Sequence, residues 1–202
     1  MFKHTIPSIF PLIAPNVTWK VNTNDKVLYL TFDDGPHPII TPLVLNILDE
    51  YNAKATFFCV GENVTKYPDI FNQIINKGHA VGNHTYNHVK GWQTSDAAYL
   101  ENIKKAAEVI PSNLFRPPYG RIKPSQIKLL KDHYRIIMWS ILTRDYDKRL
   151  NPHNTIKQLN KLIKSGDVIV YHDSEKAQQN MLIMLKGVLQ NFHQLQYTFK
   201  TL

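Results

Sequence analysis

The stretch Val27-Leu28-Tyr29-Leu30-Thr31-Phe32-Asp33-Asp34-Gly35-Pro36 runs an apolar, β-prone segment straight into two adjacent carboxylates and a turn. A short apolar run bounded by Gly and Pro reads as a buried strand. Thr41-Pro42 follows, a cap residue and a first-turn proline, and Val44, Leu45, Ile47, Leu48 and Tyr51 recur at helical spacing. Strand followed by helix then repeats. Strands are expected at 55–60, 79–83, 114–116, 134–139 and 167–171. Helices are expected at 68–76, from a Thr94 or Ser95 cap to Ile110, at 124–132, around Ile156, Leu159 and Ile163, and over 175–192. Repeated βα units imply a parallel sheet covered by helices, open or closed as a barrel. No internal repeat, low-complexity tract or linker interrupts the pattern. Residues 1–202 therefore read as one domain, with 1–25 an N-terminal extension packed on it or leading into it.

Composition narrows the function classes. The chain has 202 residues, enough for a sizeable core. No apolar run approaches the ~20 residues of a membrane span. The N-terminal stretch is broken by Pro7, Pro11 and Pro15, and Lys3 alone makes a poor positive region, so no standard signal peptide is expected. The one cysteine, Cys59, excludes an internal disulfide and lies in a predicted buried strand, where it reads as a small core residue. Net charge is +8, which favours anionic partners such as cell-wall polymers. The basic residues are dispersed and the aromatics read as core, which speaks against nucleic-acid binding.

The polar motifs fall just after predicted strands, the face where parallel α/β folds bind ligands. Asp33-Asp34 is by itself an ordinary turn exit. Adjacent like charges repel, however, and a cation would relieve the cost. His84-Thr85-Tyr86-Asn87-His88 places two imidazoles four residues apart, which on a helical turn would share a face and suit one Zn²⁺. Two histidines and one carboxylate leave coordination positions open, the arrangement of a catalytic metal, and the spare carboxylate can serve as a base. Non-haem Fe(II) oxygenases use the same ligand set. The βα pattern and the extra acid favour hydrolysis. Arg116-Pro117-Pro118-Tyr119-Gly120 is either a structural turn or a device that orients a carboxylate with Arg116. Tyr119 is the first residue after the prolines with an N–H to give an oxyanion. His172 ends an apolar strand and becomes a candidate general acid beside a metal site.

Together these residues resemble the polysaccharide deacetylase family, carbohydrate esterase family 4, also called the NodB homology domain. The resemblance rests on Thr31-Phe32-Asp33-Asp34-Gly35, His84-Thr85-Tyr86-Asn87-His88, Arg116-Pro117-Pro118-Tyr119, Trp139 to Tyr146, and Val170-Tyr171-His172. It implies a distorted (β/α) barrel, seven-stranded, and removal of acetyl groups from N-acetylated sugars of peptidoglycan or chitin type. It also implies Asp33 as general base, with Asp34, His84 and His88 as metal ligands. Arg116 would orient Asp33, the Tyr119 amide would hold the oxyanion, and His172 would be the general acid. The metal is expected to be one divalent ion, Zn by ligand type, with Co, Mn, Ni and Fe as alternatives. The family works mostly at the cell envelope, while the missing export signal keeps a cytoplasmic location open.

One departure stands out. The resemblance leads to an Asp supporting the catalytic histidine where this chain has Leu142. Without that acid the pKa of His172 is expected to fall, unless Asp145 or Asp173 fills the role. Asp145 is thus a candidate contact of Arg116 or His172. Two alternatives follow: a catalytically weakened carbohydrate-binding relative, and an amidase or imidase of small non-sugar substrates.

Overall fold

The computed structural model describes residues 4–5 and 14–202. Its strands are β1 (Val17–Thr18), β2 (Val27–Asp33), β3 (Ala55–Cys59), β4 (Ala80–Asn83), β5 (Leu114–Phe115), β6 (Arg135–Ile137), β7 (Ile141–Leu142), β8 (Val168–His172) and β9 (Thr198–Phe199). Its helices are α1 (Ile40–Glu50), α2 (Gly61–Lys66), α3 (Pro68–Asn76), α4 (Asp96–Ala107), α5 (Pro124–Leu130), α6 (Pro152–Leu162) and α7 (Gln178–Gln194). Of the expected extension 1–25, residues 1–3 and 6–13 lie outside the described residues, as does the stretch that bears on a signal peptide.

All ladders between these strands are parallel, in the order β1-β6-β5-β4-β3-β2-β8-β7, with β9 also paired to β2. β6 lies near one end of this order and β7 at the other, yet only residues 138–140 join them. At ~3.5 Å per residue that link spans at most ~14 Å. The sheet must therefore curl until its ends approach, which makes the distorted (β/α) barrel. The path holds eight strands, where seven were expected. The extra one is the short β1 outside β6. The chain's start also reaches this seam: Leu142 N–H donates to His4 O at 2.8 Å.

Alternation along β2 decides what faces where. Leu28, Leu30 and Phe32 pack with Val44, Leu45 and Leu48 of α1 and Met181 and Leu185 of α7. Tyr29 faces the other way, into a cluster of strand residues that includes Phe58, Ile137 and Val168. The same interior face therefore carries Thr31 and Asp33. Phe32 stacks on Phe57 of β3 at 4.9 Å and on Tyr171 of β8 at 5.6 Å, tying three strands on the helix side. Cys59 joins that helix-side core, fully buried, and burial pushes its thiol well up, so it is an inert packing residue.

Local chemistry sets the helix ends. Ser95 accepts from Ala98 N–H at 3.3 Å and starts α4, and Asn151 accepts from Asn154 N–H at 3.0 Å and starts α6. Thr41 does not cap α1, as the sequence suggested. Instead α1 begins at Ile40, and the Thr41 hydroxyl donates to the buried Asp173 carboxyl. Asp173 also accepts from Gly35 N–H at 3.1 Å. It clamps the loop that follows β2. A Cβ on Gly35 would lie 2.1 Å from Asp173 Oδ2. Gly35→Ala should therefore cost ~1–3 kcal/mol through overpacking, read as a Tm lowered by several degrees. An unchanged Tm would show that the clamp yields freely.

Candidate active site

Strand register brings the first pair of functional groups together. Asp33 and His172 are direct partners across β2 and β8. Asp33 opposes Phe58 on the other side, and β3 and β4 continue the ladder to Asn83. The C-terminal ends of four strands thus meet within a few inter-strand spacings of ~4.8 Å.

Asp34 would point away from Asp33 if the strand continued. Its φ of 83° breaks the strand and turns its carboxylate back toward the histidines. His84 and His88 do not share a helical turn, contrary to the reading of their spacing. They sit in a loop after β4, with Thr85 at φ 64° and His88 at φ 55°. Backbone and side-chain tethers hold that loop. Thr85 N–H donates to Asn83 Oδ1 at 2.8 Å, His84 N–H to Cys59 O at 2.9 Å, and Tyr86 N–H to Asn102 Oδ1 at 2.7 Å.

The outcome is a compact ligand set. Asp34 Oδ1 lies 3.2 Å from His88 Nε2 and 3.9 Å from His84 Nε2, and all three ligand atoms fall within 4.8 Å of one another. Ligands at ~2.0–2.1 Å from one tetrahedral ion stand ~3.4 Å apart, so these side chains fit a single Zn²⁺-sized ion. His84 Nδ1 lies 2.7 Å from Arg116 O, which leaves Nε2 as the ring nitrogen facing Asp34 and available to a metal. Burial pushes His84 down to about 4, so it is neutral, the form that ligates. Burial pushes Asp34 up, but the hydrogen bond from His88 and the charges of His172 and His84 outweigh it and hold the carboxyl below the usual range.

Arg116 is fully buried beneath Asp33. Its Nη1 donates to Asp33 Oδ1 and to the Thr31 hydroxyl, both at 2.7 Å. Nη2 donates to Met138 O at 2.8 Å and Nε to Ile137 O at 3.2 Å. Phe58 stacks under the guanidinium at 4.1 Å. Such a cage fixes Asp33 to one rotamer. Thr31 was not singled out as part of the site, though its place two residues before Asp33 on the same face was a legible signal.

His172 is supported by Asp145. The carboxylate lies 2.8 Å from His172 Nδ1 and accepts from His172 N–H at 2.7 Å. Burial alone would push His172 down; the charge and hydrogen bond of Asp145, with Asp34 and Asp33 beyond, raise it to about 9. The expected drop caused by Leu142 is therefore reversed. Asp145 contacts His172 and not Arg116, while Asp173 turns to Gly35 and Thr41. Leu142 lines the cavity with Val170.

Tyr119 adopts φ 60° after the two prolines, and its N–H has no hydrogen-bond partner among the described residues. Asp33, Asp34, His84, His88, Tyr119 and His172 all line one cavity of about 600 Å³. Arg116 and Asp145 stand behind it. No helix among the described residues is long and apolar enough to cross a membrane.

Known proteins resemble this chain in sequence and in fold. A profile of the polysaccharide deacetylase family matches residues 20–134. A peptidoglycan-N-acetylglucosamine deacetylase of Bacillus cereus is 36% identical over 193 residues, covering 92% of this chain and 90% of the relative. A chitooligosaccharide deacetylase of Azorhizobium caulinodans is 34% identical over 162 residues, covering 76% and 77%. Among solved structures, a peptidoglycan N-acetylglucosamine deacetylase in complex with a substituted benzamide superposes with a TM-score of 0.90 at 30% identity, covering 98% of this chain and 95% of that one. The peptidoglycan deacetylase PdaC from Bacillus subtilis gives 0.80 at 28% identity, covering 90% of each chain.

Proposed function

Because this chain belongs to the polysaccharide deacetylase family, we propose that it hydrolyses the acetamide of N-acetylated sugars in peptidoglycan- or chitin-type glycans, residues 1–202 acting as one catalytic unit. The observation that carries this reading is the convergence of Asp33, His172 and the Asp34–His84–His88 set on one cavity.

Asp34, His84 and His88 would hold one divalent ion, Zn²⁺ by donor type, with Co, Mn, Ni or Fe able to use the same ligands. When bound, the ion supplies Lewis acidity toward the acetyl carbonyl and lowers the pKa of water. Asp33, fixed by Arg116, takes the proton from the attacking water. The Tyr119 N–H donates to the carbonyl oxygen as negative charge builds there. His172 enters as imidazolium and gives its Nε2 proton to the departing amine; Asp145 on Nδ1 fixes that orientation. A carboxylate already serves His172, so Leu142 gives no reason to read the protein as a weakened relative.

Proton inventory makes this testable. His172 must be protonated to act, so kcat should fall as pH rises through its pKa. Asp145→Asn removes the charge that raises it while burial persists. The basic limb of the kcat–pH profile should therefore move to lower pH than in the wild type. By linkage, the pair also stabilises the fold fully below about 6.5 and loses that contribution as pH rises through about 9. A basic limb unchanged in a folded, metal-loaded variant would assign the proton to another group. The activity itself is tested by mass spectrometry of chitin, peptidoglycan and acetylxylan fragments after incubation with metal-loaded protein. Loss of acetyl from the N-acetylated fragments is expected. No loss from any of them would overturn the proposal.

A further inference from the structure

Three cations stand at the mouth of the cavity, while the carboxylate of Glu62, which accepts from Asn87, lines a smaller neighbouring cavity that shares Asp34 and His88. Arg121 and Lys176 line the main cavity, and Lys90 Nζ stands 5.1 Å from the ring of the exposed Tyr119. Lys176 stands over Tyr146 in the same manner at 5.3 Å, and Arg121 over the exposed Trp92 at 5.5 Å. Tyr119 packs on His88 at 4.7 Å, and Tyr146 on His172 at 5.1 Å. One cation–ring pair therefore lies beyond the metal ligands and another beyond His172. A substrate chain crossing the site would pass both.

These cations are not structural partners of acids. None of the three forms an ion pair with a carboxylate among the described residues, whereas Lys20, Lys77 and Arg144 each do. The cavity's own carboxylates, Asp33 and Asp34, are engaged by Arg116 and the histidines. Lys148 adds a further positive group in an adjoining cavity of about 780 Å³ that shares Lys176; Glu175 also lines it and pairs with His37 at 3.5 Å. Aromatic faces hold cations near the opening at little desolvation cost. A neutral oligosaccharide offers such a rim only uncharged groups, hydroxyls and acetamides. A glycan with acidic substituents offers it counter-charges.

Resting on the deacetylase reading, we propose that Lys90, Arg121 and Lys176 select glycans carrying carboxylates on the sugars that flank the acetylated one. The test compares kcat/KM of the metal-loaded protein on two oligomers of equal length, one neutral and built of N-acetylglucosamine, the other carrying carboxylates on alternate sugars. Roughly a tenfold preference for the acidic oligomer is expected at low salt, mostly through KM, from three exposed pairs. It should shrink as salt shortens the screening length. The triple variant K90Q/R121Q/K176Q should lose the preference, its kcat/KM on the acidic oligomer falling to that on the neutral one. Equal kcat/KM for both oligomers, or a preference that survives the triple substitution, would overturn the proposal. If neither oligomer is turned over, the deacetylase reading fails, and calorimetric binding of the same two oligomers decides the rim separately. Tighter, salt-sensitive binding of the acidic one upholds it, and equal affinities refute it.

Discussion

Asp33→Asn should lower kcat by roughly 10²–10⁴ while the protein still binds its metal. Asparagine keeps the size of the side chain and can still accept from Arg116 at the Oδ1 position, 2.7 Å away. It cannot take a proton from water. The substitution also leaves a buried guanidinium without its counter-charge, and breaking a buried pair costs up to ~3–5 kcal/mol. The hydrogen bonds from Arg116 to Thr31, Ile137 O and Met138 O remain and moderate that loss. Tm and metal content therefore need measuring beside kcat. A folded, metal-replete variant with wild-type kcat would make Asp33 a structural residue.

His84→Ala should abolish both metal binding and activity. His84 is buried and held on Arg116 O at 2.7 Å, so its Nε2 is pre-aimed toward Asp34. Two remaining ligands, Asp34 and the more exposed His88, leave too few protein donors for a tight site. Elemental analysis of the purified variant reads metal directly, and far-UV circular dichroism reports the fold. Chelation of the wild-type protein should reproduce the loss, and re-addition of Zn²⁺ should reverse it. Full turnover by demonstrably metal-free protein would falsify the metal-dependent mechanism.

The longer elements were legible because periodicity needs length to register. The strand ending in Asp33-Asp34, the α4 face with its Ser95 cap and the long α7 all carried a clear apolar pattern. The elements β1, β7 and β9 were missed for the opposite reason: each is a two-residue strand created by its neighbours. Helix α2 is also too short to show a face. Spacing identified the histidine pair and misjudged its backbone. A gap of four fits a helical turn, yet the loop reaches the same convergence through left-handed residues at Thr85 and His88.

Repeated strand–helix periodicity determined the fold class, and residue chemistry at strand ends the roster of candidate reactive groups, since apolar spacing, paired carboxylates and histidines are properties of local sequence. Partnership was decided only in three dimensions. Along the chain Asp145 was the first candidate for the missing support of His172, with Asp173 as a second. The tertiary structure seats Asp145 against His172 and turns Asp173 to Gly35 and Thr41. The reason is physical: a buried carboxylate must find donors, and which donors lie in reach depends on strand register and sheet closure across 27 and 138 residues of separation.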